Sequence, residues 1–283
     1  MASVPCFQDF FSSSLFLLEE MEIRLKNHIR LFLKKFTVLL LVVGVLTGCV
    51  DREQIQQEQQ VPNTGLDYDI EKMPELVSEN PDHENLADML QKNGTSMMVQ
   101  IRVGNRLGSG VIYDIVDDKL VILTAGHVIA GAEAQVEISF CDEYTVCCDT
   151  YHISDTVDLG VLMVETEKIP IENMQMYRRA RVDKERFDSL QKGDGCIAMG
   201  CRTGVAAEAY EGKILNTWIY MEDYQQYMLW AEVPGKLGMS GGGLFDRSGN
   251  LIGVLSGMSE DGEMAVVPLS FVPAELKKFL MLP

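Results

Sequence analysis

From Thr95 to its end the chain runs as short apolar segments separated by turn residues, and this pattern constrains the fold more than any other feature. The segments include "MMVQIRV", "GSGVIYDI", "LVILTA", "AQVEISF", "YTVCC", "LGVLMV", "CIAMG", "YEGKILNTWIY", "YMLWAEV", "LIGVLSGM" and "MAVVPL". Each has the length of a strand, and Gly104-Asn105, Asp117-Asp118, Asp142-Glu143 and Ser248-Gly249 stand between them as hinges. Helix is expected only within 172–190 and in the final "FVPAELKKFL", which reads as a short terminal helix. Residues 92–283 are therefore expected to form an all-β sandwich or barrel, and the text contains no internal repeat.

Residues 1–91 follow a different logic. From Met21 a basic segment (Arg24, Lys26, Arg30, Lys34, Lys35) leads to an apolar run, Phe36 to Leu46, and then to Leu46-Thr47-Gly48-Cys49. The run is far shorter than the ~20 residues a spanning helix needs, so 1–48 reads as a cleaved signal region. An uncleaved anchor is the competing reading, and it leaves the rest of the chain in the same compartment. Leu-Thr-Gly-Cys resembles the lipobox of bacterial lipoproteins, which implies that Cys49 is acylated and becomes the first mature residue. The chain is then an exported, membrane-anchored lipoprotein. The first twenty residues carry little positive charge before Arg24, and Met21 fits as the true start. After Cys49, "VDREQIQQEQQVPNTGLDYD" is too polar to bury a core and reads as a tether. "DHENLADMLQKNG" then has the form of a short helix capped by Asp82 and stopped near Gly94, so 49–91 is tether and short helix.

The net charge is −18 over 283 residues, which argues against a basic nucleic-acid-binding face and for a soluble domain. No acidic cluster has calcium-loop spacing and no cysteine pair has zinc-finger spacing, so neither metal nor cofactor is expected. Beyond Cys6 and Cys49, the cysteines are Cys141, Cys147, Cys148, Cys196 and Cys201, an odd number. Cys141 can reach Cys147 or Cys148 across a hairpin, while Cys196 and Cys201 lie too far apart along one strand to bond each other. Buried free thiols are expected for several of them.

Candidate chemistry is narrowed by scarcity. The chain has four histidines; His28 belongs to the signal and His83 to the polar helix, which leaves His127 and His152. His127 follows a hydrophobic strand and two small residues in "VILTAGHVI", Asp158 opens the strand in "TVDLGVLMV", and Ser240 sits in the glycine run "GKLGMSGGG". Each alone reads as an ordinary structural or loop residue. Together they are the types nucleophilic catalysis needs, because a serine hydroxyl requires a base and the base must be held in one tautomer. Gly238-Met239-Ser240-Gly241-Gly242 also fits G-x-S-x-G, but an α/β-hydrolase places its histidine after the serine, and none follows Ser240.

"TAGHV", "DLGVL" and "GMSGGGLFD", with "LGSGVIY" upstream, resemble the trypsin-like (chymotrypsin-fold) serine peptidases. "LQKGDGCIAMGCRTG", "EGKILNTW" and "LIGVLSGM" are similar to segments of the bacterial HtrA-type branch, so the likeness spans roughly 92–280. It implies two six-stranded antiparallel β-barrels and a short C-terminal helix, with His127 and Asp158 on the first barrel and Ser240 on the second. It further implies a surface-anchored serine endopeptidase that forms an acyl-enzyme, with a peptide or protein as substrate and the membrane engaged through Cys49. A protein-binding module that keeps the fold without catalysis is the alternative. Backbone N–H groups of Gly238 and Ser240 would form the oxyanion hole, on a turn whose unusual dihedrals glycine supplies. Ser256, Gly257 and Met258 would pair with an extended substrate, with Ser256 as a further partner for Asp158. Pro234 is expected near the specificity pocket, whose lack of an acidic residue favours a small or apolar side chain before the cut bond.

Departures from the family pattern are informative. Gly243 replaces a common proline after the serine, and Met239 stands where zymogen-type relatives carry an aspartate. Methionine cannot pair with a newly released amine, so activation by N-terminal cleavage is not expected. No PDZ-like module follows in the sequence, so the regulated oligomerisation of HtrA proteins is not expected either.

Overall fold

The computed structural model describes residues 73–75, 90, 93–131, 135–259 and 262–280. The signal region, Cys49, the tether and most of the helix expected at 82–94 lie outside these. Strands β1 (Met98–Val103), β2 (Arg106–Val116), β3 (Lys119–Thr124), β4 (Val136–Ser139), β5 (Thr145–Cys148), β6 (Thr150–Ile153) and β7 (Gly160–Glu165) form the N-terminal lobe, with a short helix α1 (Gly126–Ile129) after β3. Two short helices, α2 (Ile171–Met174) and α3 (Lys184–Asp188), lie in the connection. The second lobe comprises β8 (Gly195–Gly200), β9 (Glu208–Met221), β10 (Gln226–Glu232), β11 (Gly243–Asp246), β12 (Leu251–Met258) and β13 (Glu263–Pro268), followed by α4 (Val272–Leu280).

The fold is the all-β, chymotrypsin-like one expected. The second lobe closes into a six-stranded barrel in the order β10-β13-β12-β11-β8-β9. The first lobe is a curled sheet of seven strands in the order β5-β4-β1-β2-β3-β7-β6. Its two end strands, β5 and β6, are separated in sequence only by Asp149. One bent segment thus pairs with β4 before the bend and with β7 after it, which returns the sheet on itself and accounts for seven strands rather than six.

Side-chain alternation explains the unbroken apolar text. On β3, Leu120 and Ile122 enter the N-terminal core with Ile101, Ile112, Phe140 and Leu162. Val121 and Leu123, pointing the other way, enter a core shared by both lobes with Ile197, Met199, Phe245 and Val254. Strand β8 repeats the arrangement, with Cys196 and Ala198 buried in the second barrel and Ile197 and Met199 in the shared core. Both faces of such strands are dry, so apolar residues occupy every position instead of every other one. Each fully buried Val, Leu or Ile contributes about 1.5–3 kcal/mol. At the β2–β3 hinge, Asp117 and Asp118 have φ of 48° and 58°, the paired positive values of a two-residue type I′ hairpin whose twist matches its strands.

Among the described residues all five cysteines are free. The β4–β5 register sets Cys147 opposite Glu137 and Cys148 opposite Val136 and leaves Cys141 in the turn, so the hairpin pairing considered for Cys141 is not formed. No helix among the described residues is long and apolar enough to cross a membrane.

Candidate active site

His127 stands on α1, just past the end of β3, and Asp158 lies in the loop between β6 and β7. Ser154 shapes that loop, its hydroxyl accepting the N–H groups of Thr156 and Val157 at 3.2 Å each. The small residues before His127 now have a reason: a Cβ added at Gly126 would lie 3.2 Å from Asp158 Oδ1 and from Ile153 Cγ2. Arg106 holds the end of α1, donating to the Ala130 carbonyl at 2.7 Å and to the His127 carbonyl at 3.3 Å.

Asp158 is the best-held group in the site. Its Oδ1 accepts the His127 backbone N–H at 2.8 Å, and its Oδ2 meets His127 Nδ1 at 2.8 Å and accepts the Ser256 hydroxyl. Its own N–H donates to Gln226 Oε1 at 3.0 Å. Burial alone pushes the Asp158 carboxyl up, but the hydrogen bonds from His127 and Ser256 outweigh it and hold the group below the ordinary carboxylate range. An ionised carboxylate only accepts, so Nδ1 carries a proton, and in the neutral imidazole Nε2 is the nitrogen with the free lone pair. Asp158 is 18% exposed and the imidazole 52%, so the orienting end is shielded while the working end faces solvent.

Ser240 follows a turn that the backbone dihedrals define. Met239 N–H donates to the Lys236 carbonyl at 3.2 Å, and Gly238, third in that turn, has φ +92°. These are the marks of a type II turn, which requires a positive φ at its third residue. Gly241 has φ +85°, and its N–H donates to the Leu255 carbonyl at 2.7 Å. A Cβ at Gly241 would come within 2.1 Å of the Ser109 carbonyl, so glycine is required there by space as well as by dihedral. Among the described residues, no protein acceptor takes the N–H of Gly238 or Ser240. Met239 is fully buried in the core of the second barrel, which suits an apolar side chain at that position.

His127, Asp158, Ser240, Ser256, Gly257 and Met258 line one cavity of about 500 Å³, together with Tyr224, Lys236, Leu237 and Met264. Pro234 is not among them: it lines a separate depression with Glu211, Gly212 and Val233 at the exit of β10. Gly235, the next residue, packs against two methionines of the cavity wall, since a Cβ there would lie 2.3 Å from Met264 Sδ and 2.6 Å from Met258 Sδ. The Ser240 hydroxyl donates to the Ser256 carbonyl at 3.1 Å and, among the described residues, makes no bond to the imidazole. A turn about its Cα–Cβ bond changes that partner, and catalytic hydrogen bonds commonly tighten only when substrate is present. A larger depression of about 960 Å³ on the first lobe, between Met73, Ile115, Ile171 and Met174, has no His, Ser or Cys among its described lining residues. Among the described residues no group of three His, Cys, Asp or Glu side chains is placed to hold a metal ion.

Several supporting residues carry no signal in the sequence. Ser109 on β2 donates its N–H to the Ser240 carbonyl at 2.8 Å and its hydroxyl to the Gly238 carbonyl at 2.7 Å, while accepting the Cys201 N–H at 2.8 Å. It thereby ties the first lobe to the serine turn. "LGSGVIY" marks the place, but nothing local distinguishes this hydroxyl from a solvated one. Gln226 and Tyr224 are likewise brought in from the β9–β10 hairpin, and the Tyr224 ring is packed where a Cβ on Gly257 would meet its hydroxyl.

Comparison with known proteins agrees with this fold. Residues 108–254 match the family described as trypsin-like peptidase domain. No curated protein sequence matches the chain significantly. Among solved structures, the chain is similar to the inactive form of Rv3671c from M. tuberculosis H37Rv, at 18% identity and a TM-score of 0.54 over 74% of this chain and 98% of that one. It is also similar to the HtrA-type protease AlgW with tripeptide, at 22% identity and a TM-score of 0.57 over 70% of this chain and 64% of that one. At these identities the likeness is one of fold.

Proposed function

The chain belongs to the trypsin-like peptidase family, and we propose that it is a serine endopeptidase acting through an acyl-enzyme on Ser240. The observation that carries this reading is the hold on Asp158, which fixes the His127 tautomer beside the cavity that contains Ser240. In this reading Nε2 of His127 takes the Ser240 proton during attack and returns it to the leaving amine, and Asp158 stabilises the cation formed in between. The free N–H groups of Gly238 and Ser240 serve the oxyanion, often the largest single contribution to such catalysis. The edge of β12 at Ser256–Met258 extends past its pairing with β11, and an extended peptide or protein substrate adds there as a strand. Leu237, Met258 and Met264 give the cavity an apolar wall, which supports a small or apolar side chain before the cut bond. The sequence Leu46-Thr47-Gly48-Cys49 supports anchoring through lipidated Cys49, with the peptidase outside the cytoplasmic membrane.

One observation favours the alternative, a binding module that keeps the fold: the Ser240 hydroxyl rests on the Ser256 carbonyl and not on His127. A fluorophosphonate probe separates the two. The full chain should be labelled, and labelling should vanish in Ser240→Ala and fall to background in His127→Ala. A folded wild type that takes no label would favour the binding module.

A further inference from the structure

The turn that presents the Gly238 N–H has an intrinsic weakness. Types I and II differ by a flip of the central peptide, here Leu237–Gly238, and only type II has a positive φ at the third residue. Glycine tolerates both signs of φ, so Gly238 gives no local preference for one orientation. The flip would reverse the direction of the Gly238 N–H and replace a donor with a carbonyl. Something outside the turn must choose.

The choice is made by side chains from the second barrel. Arg202, in the loop after β8, donates from Nε to the Leu237 carbonyl at 3.3 Å, a bond available only when that carbonyl points away from the turn as it does in the type II form. The same guanidinium bonds Glu208 through Nη1, at 3.2 and 3.1 Å to the two carboxylate oxygens. Glu208 also accepts the Tyr210 hydroxyl, and Tyr210 in turn accepts Lys236 Nζ at 2.5 Å. Glu208 and Tyr210 are two apart on β9 and share a face of the strand. Lys236 is the first residue of the turn and Leu237 the second, so the chain of bonds leaves the barrel and grips two consecutive turn residues from opposite ends. The hydrogen bond from Tyr210, helped by Arg202 and opposed by burial, holds the Glu208 carboxyl below its ordinary range, so the anchor stays ionised.

We infer that Arg202, braced by Glu208 and Tyr210, is a positioning residue that locks the Leu237–Gly238 peptide with its N–H free for an oxyanion. This rests on the peptidase reading for its consequence in catalysis, but not for its consequence in structure. An exposed ion pair adds little to overall stability. What it changes here is the share of molecules whose Gly238 N–H points the productive way, and turnover falls to the fraction of molecules that hold the productive conformer.

The test uses the full chain with Arg202→Ala, Arg202→Lys and Glu208→Gln, read by turnover of a peptide substrate and by crystal structures of the wild type and Arg202→Ala. Loss of an oxyanion donor costs about 10²–10³ in kcat, and a donor misdirected in most molecules should cost about 10–100-fold. KM should change less than about threefold, because ground-state binding on β12 is untouched. Arg202→Lys should recover part of the loss, Glu208→Gln should fall between, and the Leu237–Gly238 peptide should be flipped or mixed in Arg202→Ala. An unchanged kcat in Arg202→Ala, or a peptide that keeps a single unflipped orientation, overturns the inference. If wild type and Ser240→Ala are equally unlabelled by fluorophosphonate, the peptidase reading falls, and the peptide orientation in Arg202→Ala still decides the clamp.

Discussion

Replacing Ser256 by alanine removes one hydrogen bond from the Asp158 carboxylate and leaves the other acceptor contacts in place. Ser256 is 2% exposed, and its hydroxyl donates to the same Oδ2 that faces His127 Nδ1. A hydrogen bond to a charged group contributes about 1.5–3 kcal/mol, against about 0.5–1.5 kcal/mol for a neutral one. The cost of Ser256→Ala should therefore depend on whether Asp158 is ionised. Its folded pKa lies below the unfolded value, so the stabilisation is complete above that unfolded value, ~3.9, and is lost as pH falls through the folded pKa. Without Ser256 the carboxyl moves back up toward its ordinary range, which shortens the acid limb. Urea unfolding of both proteins, stepped from pH 7 to pH 2, measures the gap directly. We expect about 2 kcal/mol at neutral pH, worth about 4–8 °C in Tm for a domain of this size, narrowing to under half that once Asp158 is protonated. A gap that stays constant with pH would show that Ser256 acts by packing alone and would refute the electrostatic account of the site.

Two further outcomes follow from the geometry. Gly241→Ala should cost about 2–5 kcal/mol, from the positive φ together with overlap on the Ser109 carbonyl. Gly104→Ala, at φ +58° with open space around it, should cost no more than about 1–2 kcal/mol in a thermal melt, and equal losses would contradict the steric argument. Burial pushes the Cys196 and Cys201 thiols up to about 12, so at pH 8 a thiol reagent should modify exposed Cys147 promptly and leave those two unmodified until the protein unfolds.

Much of the architecture was legible in the text because its strands are short, apolar and separated by residues with turn chemistry. The bend at Asp149 was not, since "TVCCDTYHI" reads as one strand or two depending on which neighbour each half finds. His127, Asp158 and Ser240 stood out by residue type at strand edges, and the fold draws them to one cavity. Pro234, expected near the pocket, lines a neighbouring depression, because the pocket wall depends on how the backbone runs past Met258 and Met264, a matter of loop register. Ser109, Arg202 and Gln226 left no trace, because each works through a partner distant in sequence: Gly238, Leu237 and Asp158. A polar side chain that fixes another segment's backbone looks, in one dimension, like any solvated residue.

The core that β3 and β8 share across the lobes has a consequence for modular exchange. Val121 and Leu123 of one lobe are packed in the same cluster as Ile197 and Met199 of the other, so neither lobe carries a finished surface at that boundary. A chimera that took one lobe from a relative would import half of a fitted joint and meet the wrong counterpart, with overpacking or voids costing about 1–3 kcal/mol at each misfit. Grafting should succeed for exposed surface loops, and fail for whole lobes unless the facing residues travel with them. Exchange in such a chain should therefore be tolerated at its rim, while the two lobes behave as one fitted piece.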